Sequence, residues 1–275
     1  MRILLFTVLL CFSIPIFSQN NGIELIFHTL EYGEKGETID SERHMTIWIL
    51  NSKLKIASNN DKDPLLIFDS NSEILQIINR AQHDFIELTK SDLKELDAQL
   101  EQSLKLMEEK LSTLPESQKE AIKSQFYQFK SNKDEPEIEY KNTEINKSVE
   151  SHSTLLYEGW IENEKLEEIY VADYETFEFD KKELSVYNEL MDFIRDNMHM
   201  LMKTFPTSPA KILKSVDHPS FKEGIPVKTV NYNKGIKSSM EILKSSRSVE
   251  IPSEAFDVPP GFKKKDIMEE IRKSR

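Results

Sequence analysis

Residues 180–205 read DKKELSVYNELMDFIRDNMHMLMKTF, and what covers this stretch decides the fold. Leu184, Tyr187, Leu190, Met191, Ile194, Met198, Leu201, Met202 and Phe205 recur at steps of three and four residues, which places them on one face of a helix. Asp180 and Glu183 have the spacing of a reciprocal cap at the start, and Pro206 and Pro209 stop the run. A face this apolar needs a wide partner, and nearly all of the remaining chain reads as strands. The fold class expected is therefore α+β: a curved antiparallel sheet, an incomplete barrel, with helices packed on one face.

The strands before this helix carry their own pairing instructions. Residues 23–32 read as a first strand. Met45-Thr46-Ile47-Trp48-Ile49-Leu50 and Lys53-Leu54-Lys55-Ile56 alternate about Asn51-Ser52, so a hairpin sets Ile49 against Leu54 and Ile47 against Ile56. The other face carries Thr46, Trp48, Leu50, Lys53 and Lys55, a mixture suited to a surface partly in water and partly covered. Residues 65–69 and 74–79 repeat the plan, with Phe68 opposite Leu75 and Leu66 opposite Ile77, and residues 85–89 close a meander.

Ser91 is the expected cap of a long helix bearing Leu93, Leu96, Leu100, Leu104, Met107, Leu111 and Leu114 at helical spacing, broken at Pro115 and followed by a second helical piece. Residues 142–151 read as a loop or an exposed edge, 154–161 as a strand turning through Asn163-Glu164 into 166–174, and the segments around Val230, Ser239 and 251–262 as closing strands.

The first eighteen residues stand apart. A basic Arg2, an almost wholly apolar run from Ile3 to Ile16 and a small Ser18 make residues 1–18 a cleavable export signal, with 19–275 a single α+β domain ending in a basic, solvated tail. No permanent membrane span is expected after cleavage, and the destination is the periplasm or the outside of the cell. Cys11 is the only cysteine and lies in the signal, so the mature chain has no disulfide, thiolate nucleophile or cysteine metal site. Losing Arg2 takes the formal charge from −12 to −13, and a nucleic-acid partner is not expected for so acidic a body.

Several of these segments resemble a known family. Thr46-Ile47-Trp48-Ile49 with Lys53-Leu54-Lys55-Ile56, Ile67-Phe68-Asp69 with Phe85-Ile86-Glu87-Leu88, and Phe256-Asp257-Val258-Pro259-Pro260-Gly261-Phe262 look like the domain-of-unknown-function family 4412, whose members are exported bacterial envelope proteins. Leu114-Pro115 and Gly159-Trp160 fall where that family tends to carry a helix break and a glycine–aromatic pair. Many relatives place a cysteine near that pair; here Tyr157, Ile161 and Tyr170 stand there, and no cysteine-dependent role carries over. The element order is also similar to that of periplasmic lipoprotein carriers, in which an incomplete barrel with helices shelters acyl chains, a likeness at the level of fold.

Motifs for chemistry are scarce. His28, His44, His83, His152, His199 and His218 show no paired metal-ligand spacing, no Gly-x-Ser-x-Gly turn presents a nucleophile, and seven glycines build no phosphate cradle. Met198-His199-Met200-Leu201-Met202 invites a copper reading, but on a helix His199 and Met200 rotate away from Met198 and Met202, which favours core packing. No catalytic residue, metal or cofactor is expected, and the protein is not expected to be an enzyme. The leading expectation is a binder or carrier of a lipid or other hydrophobic group, with Trp48, Phe68, Phe85, Met191, Met198 and Phe205 as its lining. The alternative is a structural or protein-interaction module of the envelope, in which sheet and helix close on each other without a cavity and the partner is another envelope protein.

Overall fold

The computed structural model describes residues 21–32, 39–113, 138–177, 179–197, 224–233, 236–267 and 269. The first meander comprises β1 (Asn21–Tyr32), β2 (Ile39–Leu50), β3 (Lys53–Ser58), β4 (Leu65–Asp69), β5 (Ile74–Asn79) and β6 (Asp84–Leu88), and α1 (Lys90–Thr113) follows. The second comprises β7 (Glu139–Val149), β8 (His152–Ile161), β9 (Glu164–Ala172), β10 (Ile225–Asn233) and β11 (Ile236–Glu250), with α2 (Ser185–Asn197) between β9 and β10; β12 (Lys263–Lys265) comes last. All twelve strands join in one sheet of order β12-β6-β5-β4-β3-β2-β1-β11-β10-β9-β8-β7. Each meander is consecutive, and the two meet where β1 pairs antiparallel with β11. The sheet is not closed into a barrel, and the residues of both helices that reach the core join the same face, so the α+β expectation holds.

The hairpins form in the expected register. Ile47 faces Ile56, Ile49 faces Leu54, Leu66 faces Ile77 and Phe68 faces Leu75. Asn51 takes the left-handed turn position at φ 54°, a conformation asparagine adopts more readily than most residues. Alternation then sorts the side chains. Leu25, Phe27, Ile47, Ile49, Leu54 and Phe68 enter the principal core with Leu93 of α1 and with Leu190, Phe193 and Ile194 of α2. Leu50, Leu65, Ile67 and Ile78 point the other way into a second cluster.

Several boundaries differ from expectation, each for a local reason. The cap of α1 is Thr89, not Ser91: the Asp92 amide donates to Thr89 Oγ1 at 3.2 Å, and the Thr89 amide donates to Asp92 Oδ2 at 2.9 Å. Asp180 and Glu183 do join at the start of the stretch, with the Asp180 amide on Glu183 Oε2 at 2.8 Å and the Lys182 amide on Asp180 Oδ1 at 3.0 Å. They close a turn over 181–184, and the α-helix starts only at Ser185. Residues 198–205, the chain after Thr113 up to 137 and the signal of 1–18 lie outside the described residues. The 142–151 stretch belongs mainly to the edge strand β7, and the β8–β9 turn is at Glu162-Asn163.

The end of the chain departs furthest. Residues 251–262 are not strands; Ser253–Phe256 is a single 3-10 turn, and the segment lies on the face opposite α2. Phe256 fills the second cluster, and Lys55 donates to the Ala255 carbonyl at 2.8 Å. Lys263–Lys265, expected in a solvated tail, form β12, parallel to β6. Lys264 bonds Glu87 at 2.6 Å and Lys265 pairs with Asp84 at 2.5 Å, so the opposite charge of the edge strand holds the basic run in place.

Candidate functional site

The apolar seam between α2 and the sheet is the best-formed candidate. Leu190 and Ile194 are fully buried, and the Phe193 ring meets that of Phe68 at 5.3 Å, which pins the C-terminal half of α2 to β4. Toward its start a slot separates this stretch from the sheet. There Leu184, Tyr187 and Asn188 face Leu25, Phe27, Ile47 and Ile49 across a slot that also takes in Met45 and Met240. The slot holds about 50 Å³ of open space, and it is lined almost wholly by carbon. Burial pushes the hydroxyls of Tyr187 and Tyr174 up from the ordinary tyrosine range, as expected where water is displaced.

The expected lining residues divide between the two faces. Phe68 enters the core on the α2 side, and Met191 is buried on α2 itself. Trp48 and Phe85 pack into the second cluster on the opposite face, because each stands one residue out of phase with the core-facing positions of its strand. The Trp48 indole donates to Glu24 Oε1 at 3.1 Å, and the Lys55 ammonium lies 5.3 Å from its ring centroid. Met198 and Phe205 lie outside the described residues. Trp48, Phe68, Phe85 and Met191 are all absent from the slot wall. Its lining instead includes Met45 and Met240, which strand alternation alone marks only as ordinary core positions.

Among the described residues, polar groups also converge beside the small cluster of Tyr157, Ile169 and Val171. Tyr140 on β7 lies across Gly159 on β8 and donates to Glu167 Oε2 on β9 at 2.9 Å. A β-carbon at Gly159 would come within 2.8 Å of the Tyr140 ring, so glycine makes this reach possible. Glu167 is 4% exposed, and among the described residues its Oε1 has no hydrogen-bond partner. Burial pushes its carboxyl up to about 7, against the opposing hydrogen bond from Tyr140. Beside it a bulge between Gly159 and Trp160 turns Lys165 to the other face, where it pairs with Glu168 at 2.5 Å. Hydrogen bonding to Glu168 holds the Lys165 ammonium well above its ordinary range, with burial opposing.

One grouping escapes a reading of the sequence. His28 and His44 are directly opposed on β1 and β2, their rings 5.1 Å apart, and Glu42 joins them two residues along β2. The histidines therefore are not all scattered. Their juxtaposition depends on a strand register that residue spacing does not reveal.

No family model matches the chain, and no curated protein matches it, so the resemblance to domain-of-unknown-function family 4412 gains no support from these comparisons. Among solved structures the chain is similar to an uncharacterized conserved protein of Thermus thermophilus, at 4% identity over 90% of each chain and a TM-score of 0.42. It is also similar to a chain of the MucA/MucB complex of Pseudomonas aeruginosa, at 8% identity over 87% of this chain and 56% of that one, with a TM-score of 0.37. A third likeness is to a putative outer membrane lipoprotein-sorting protein domain from Vibrio parahaemolyticus, at 6% identity over 88% of this chain and 91% of that one, with a TM-score of 0.27. These are distant likenesses of fold, and they carry no argument about activity. Among the described residues no helix is long and apolar enough to cross a membrane.

Proposed function

We propose that this is an exported, non-catalytic protein that binds a lipid acyl chain or a similar hydrophobic group in the seam between α2 and the sheet. The observation that carries the proposal is the slot itself: carbon-lined, partly open to solvent, and bordered by methionines on two strands. Thioether side chains are flexible and polarizable, so Met45 and Met240 suit a ligand of variable shape. The slot is narrow as it stands, and a long chain enters by displacing the start of α2, where Leu184, Tyr187 and Asn188 border it. The apolar residues 1–18 support export.

Titrating the full mature chain with a fluorescent acyl probe tests the proposal, alongside native mass spectrometry of protein purified from its own envelope. Saturable uptake at one probe per chain is expected, and Met240→Trp, which fills the slot, abolishes uptake while leaving the fold intact. An empty protein that takes up no probe sinks the reading.

A protein-interaction role is the second reading, and α1 favours it. Leu106 and Met107 are 51% and 43% exposed on its outer half, an apolar pair that no element among the described residues covers. Crosslinking through residues 106 and 107 in intact cells separates the two: a stable protein partner together with an empty slot supports interaction over carriage.

A further inference from the structure

We propose that His28, Glu42 and His44 form a binding site for one divalent transition-metal ion of the zinc type. The site lies on the sheet face opposite α2, at the join of β1 and β2, and is independent of the seam. His28 Nε2 is 2.8 Å from Glu42 Oε1, His44 Nε2 is 3.9 Å from the same oxygen, and one ligand atom from each residue lies within 4.8 Å of the others.

The sheet builds this set. Directly opposed residues of an antiparallel pair share a face, which puts the two imidazoles side by side, and the two-residue period brings Glu42 to the same face. At metal–ligand bonds of about 2.0–2.1 Å, tetrahedral donors stand about 3.3 Å apart. The observed 2.8 and 3.9 Å straddle that spacing and the two histidine nitrogens lie within 4.8 Å of each other, so side-chain rotation alone brings the three donors around an ion. A hydrogen bond to Glu42 needs a single imidazole; the second, set edge-on at 64° to the first, completes a donor set.

Two neutral nitrogens and one carboxylate oxygen select the ion. Imidazole suits Zn²⁺, Cu²⁺ and Ni²⁺, whereas Ca²⁺ and Mg²⁺ require oxygen ligands. The neighbouring acid does not join the set: Glu241, opposite His28 on β11, is held by Lys228 at 3.0 Å. Three protein ligands leave a fourth position for water or for a donor from another molecule, and with the His28, Glu42 and His44 side chains 21%, 59% and 45% exposed that position faces solvent.

The experiment uses the full chain stripped with chelator, titrated with Zn²⁺ by calorimetry and with Co²⁺ by visible absorption. One saturable site per chain is expected, with a Tm that rises with Zn²⁺ concentration. His28→Gln or His44→Gln weakens binding about 100-fold, at the upper end of what loss of a supporting contact costs a metal site. The double variant abolishes the site, and Met198→Leu combined with His199→Gln leaves it intact. Should the double variant fail to fold, Zn²⁺-induced shifts of the His28 and His44 ring resonances in the unaltered chain decide the matter. No Zn²⁺ binding, binding undiminished in a folded double variant, or shifts confined to other histidines overturns the proposal.

Discussion

The two faces of the sheet are covered by opposite means. On one, α2 lays a periodic stripe over β1 to β4, and each element can be read locally: a helix with its own apolar period over strands with their own alternation. On the other, an irregular segment around Phe256 covers β2 to β5, although it lies 200 residues away in the chain, as the bond from Lys55 to Ala255 attests. Periodicity shows that a face is apolar. It does not show which segment covers it, and a cover without regular structure leaves no periodic mark of its own.

Large-to-small substitutions are the strongest challenge to this contrast. Phe256→Ala is expected to cost about 3–5 kcal/mol and Leu190→Ala about 2–5 kcal/mol, measured by urea denaturation. If Phe256→Ala is nearly neutral, the irregular cover is only an ornament on the sheet and the two faces are not equivalent in energy.

The buried carboxyl of Glu167 sharpens the comparison through pH. It titrates near 4.5 ordinarily and at about 7 when folded, so between those values the folded state keeps a proton that the unfolded state releases. Its contribution is full below pH 4.5, declines as pH rises through about 7, and then stays lost. The loss amounts to about 3 kcal/mol. Glu167→Gln removes this slope; denaturation at pH 5 and pH 8 should show wild type losing stability relative to the variant. Parallel curves would mean that water reaches the Glu167 carboxyl on β9.

Smaller effects separate the two helices. Thr89→Ala removes the reciprocal cap of α1 and should cost about 1 kcal/mol, visible as a lower thermal midpoint. Leu106→Ala, on the exposed half of the same helix, should change stability by less than about 0.5 kcal/mol. A larger loss there would show that α1 is covered along its whole length.

The site was less legible than the fold. Phe68 and Met191 fall on the helix side by period, whereas Trp48 and Phe85 stand one residue out of phase and alternation turns them to the other face. The slot's Tyr187 and Leu184 belonged to the recognised helix stripe, while Met240 sits in a β11 that is longer than its apolar content suggests. Glu167 and Glu168 are adjacent acids on one strand. The reach of Tyr140 over Gly159 to Glu167, and the ion pair of Glu168 with Lys165, set the two apart.

By itself the sequence determined the hairpins: a polar turn, a two-residue period and the need to bury one set of side chains leave a single register for Met45 to Ile56 and for Leu65 to Asn79. It also determined that α2 is a helix with one dry face. The tertiary structure alone decided that β1 joins β11, that His28 meets His44, and that Phe256 rather than a strand closes the far face. Those contacts link segments whose partners are chosen by the shape of the assembled sheet, and local periodicity carries no record of that choice.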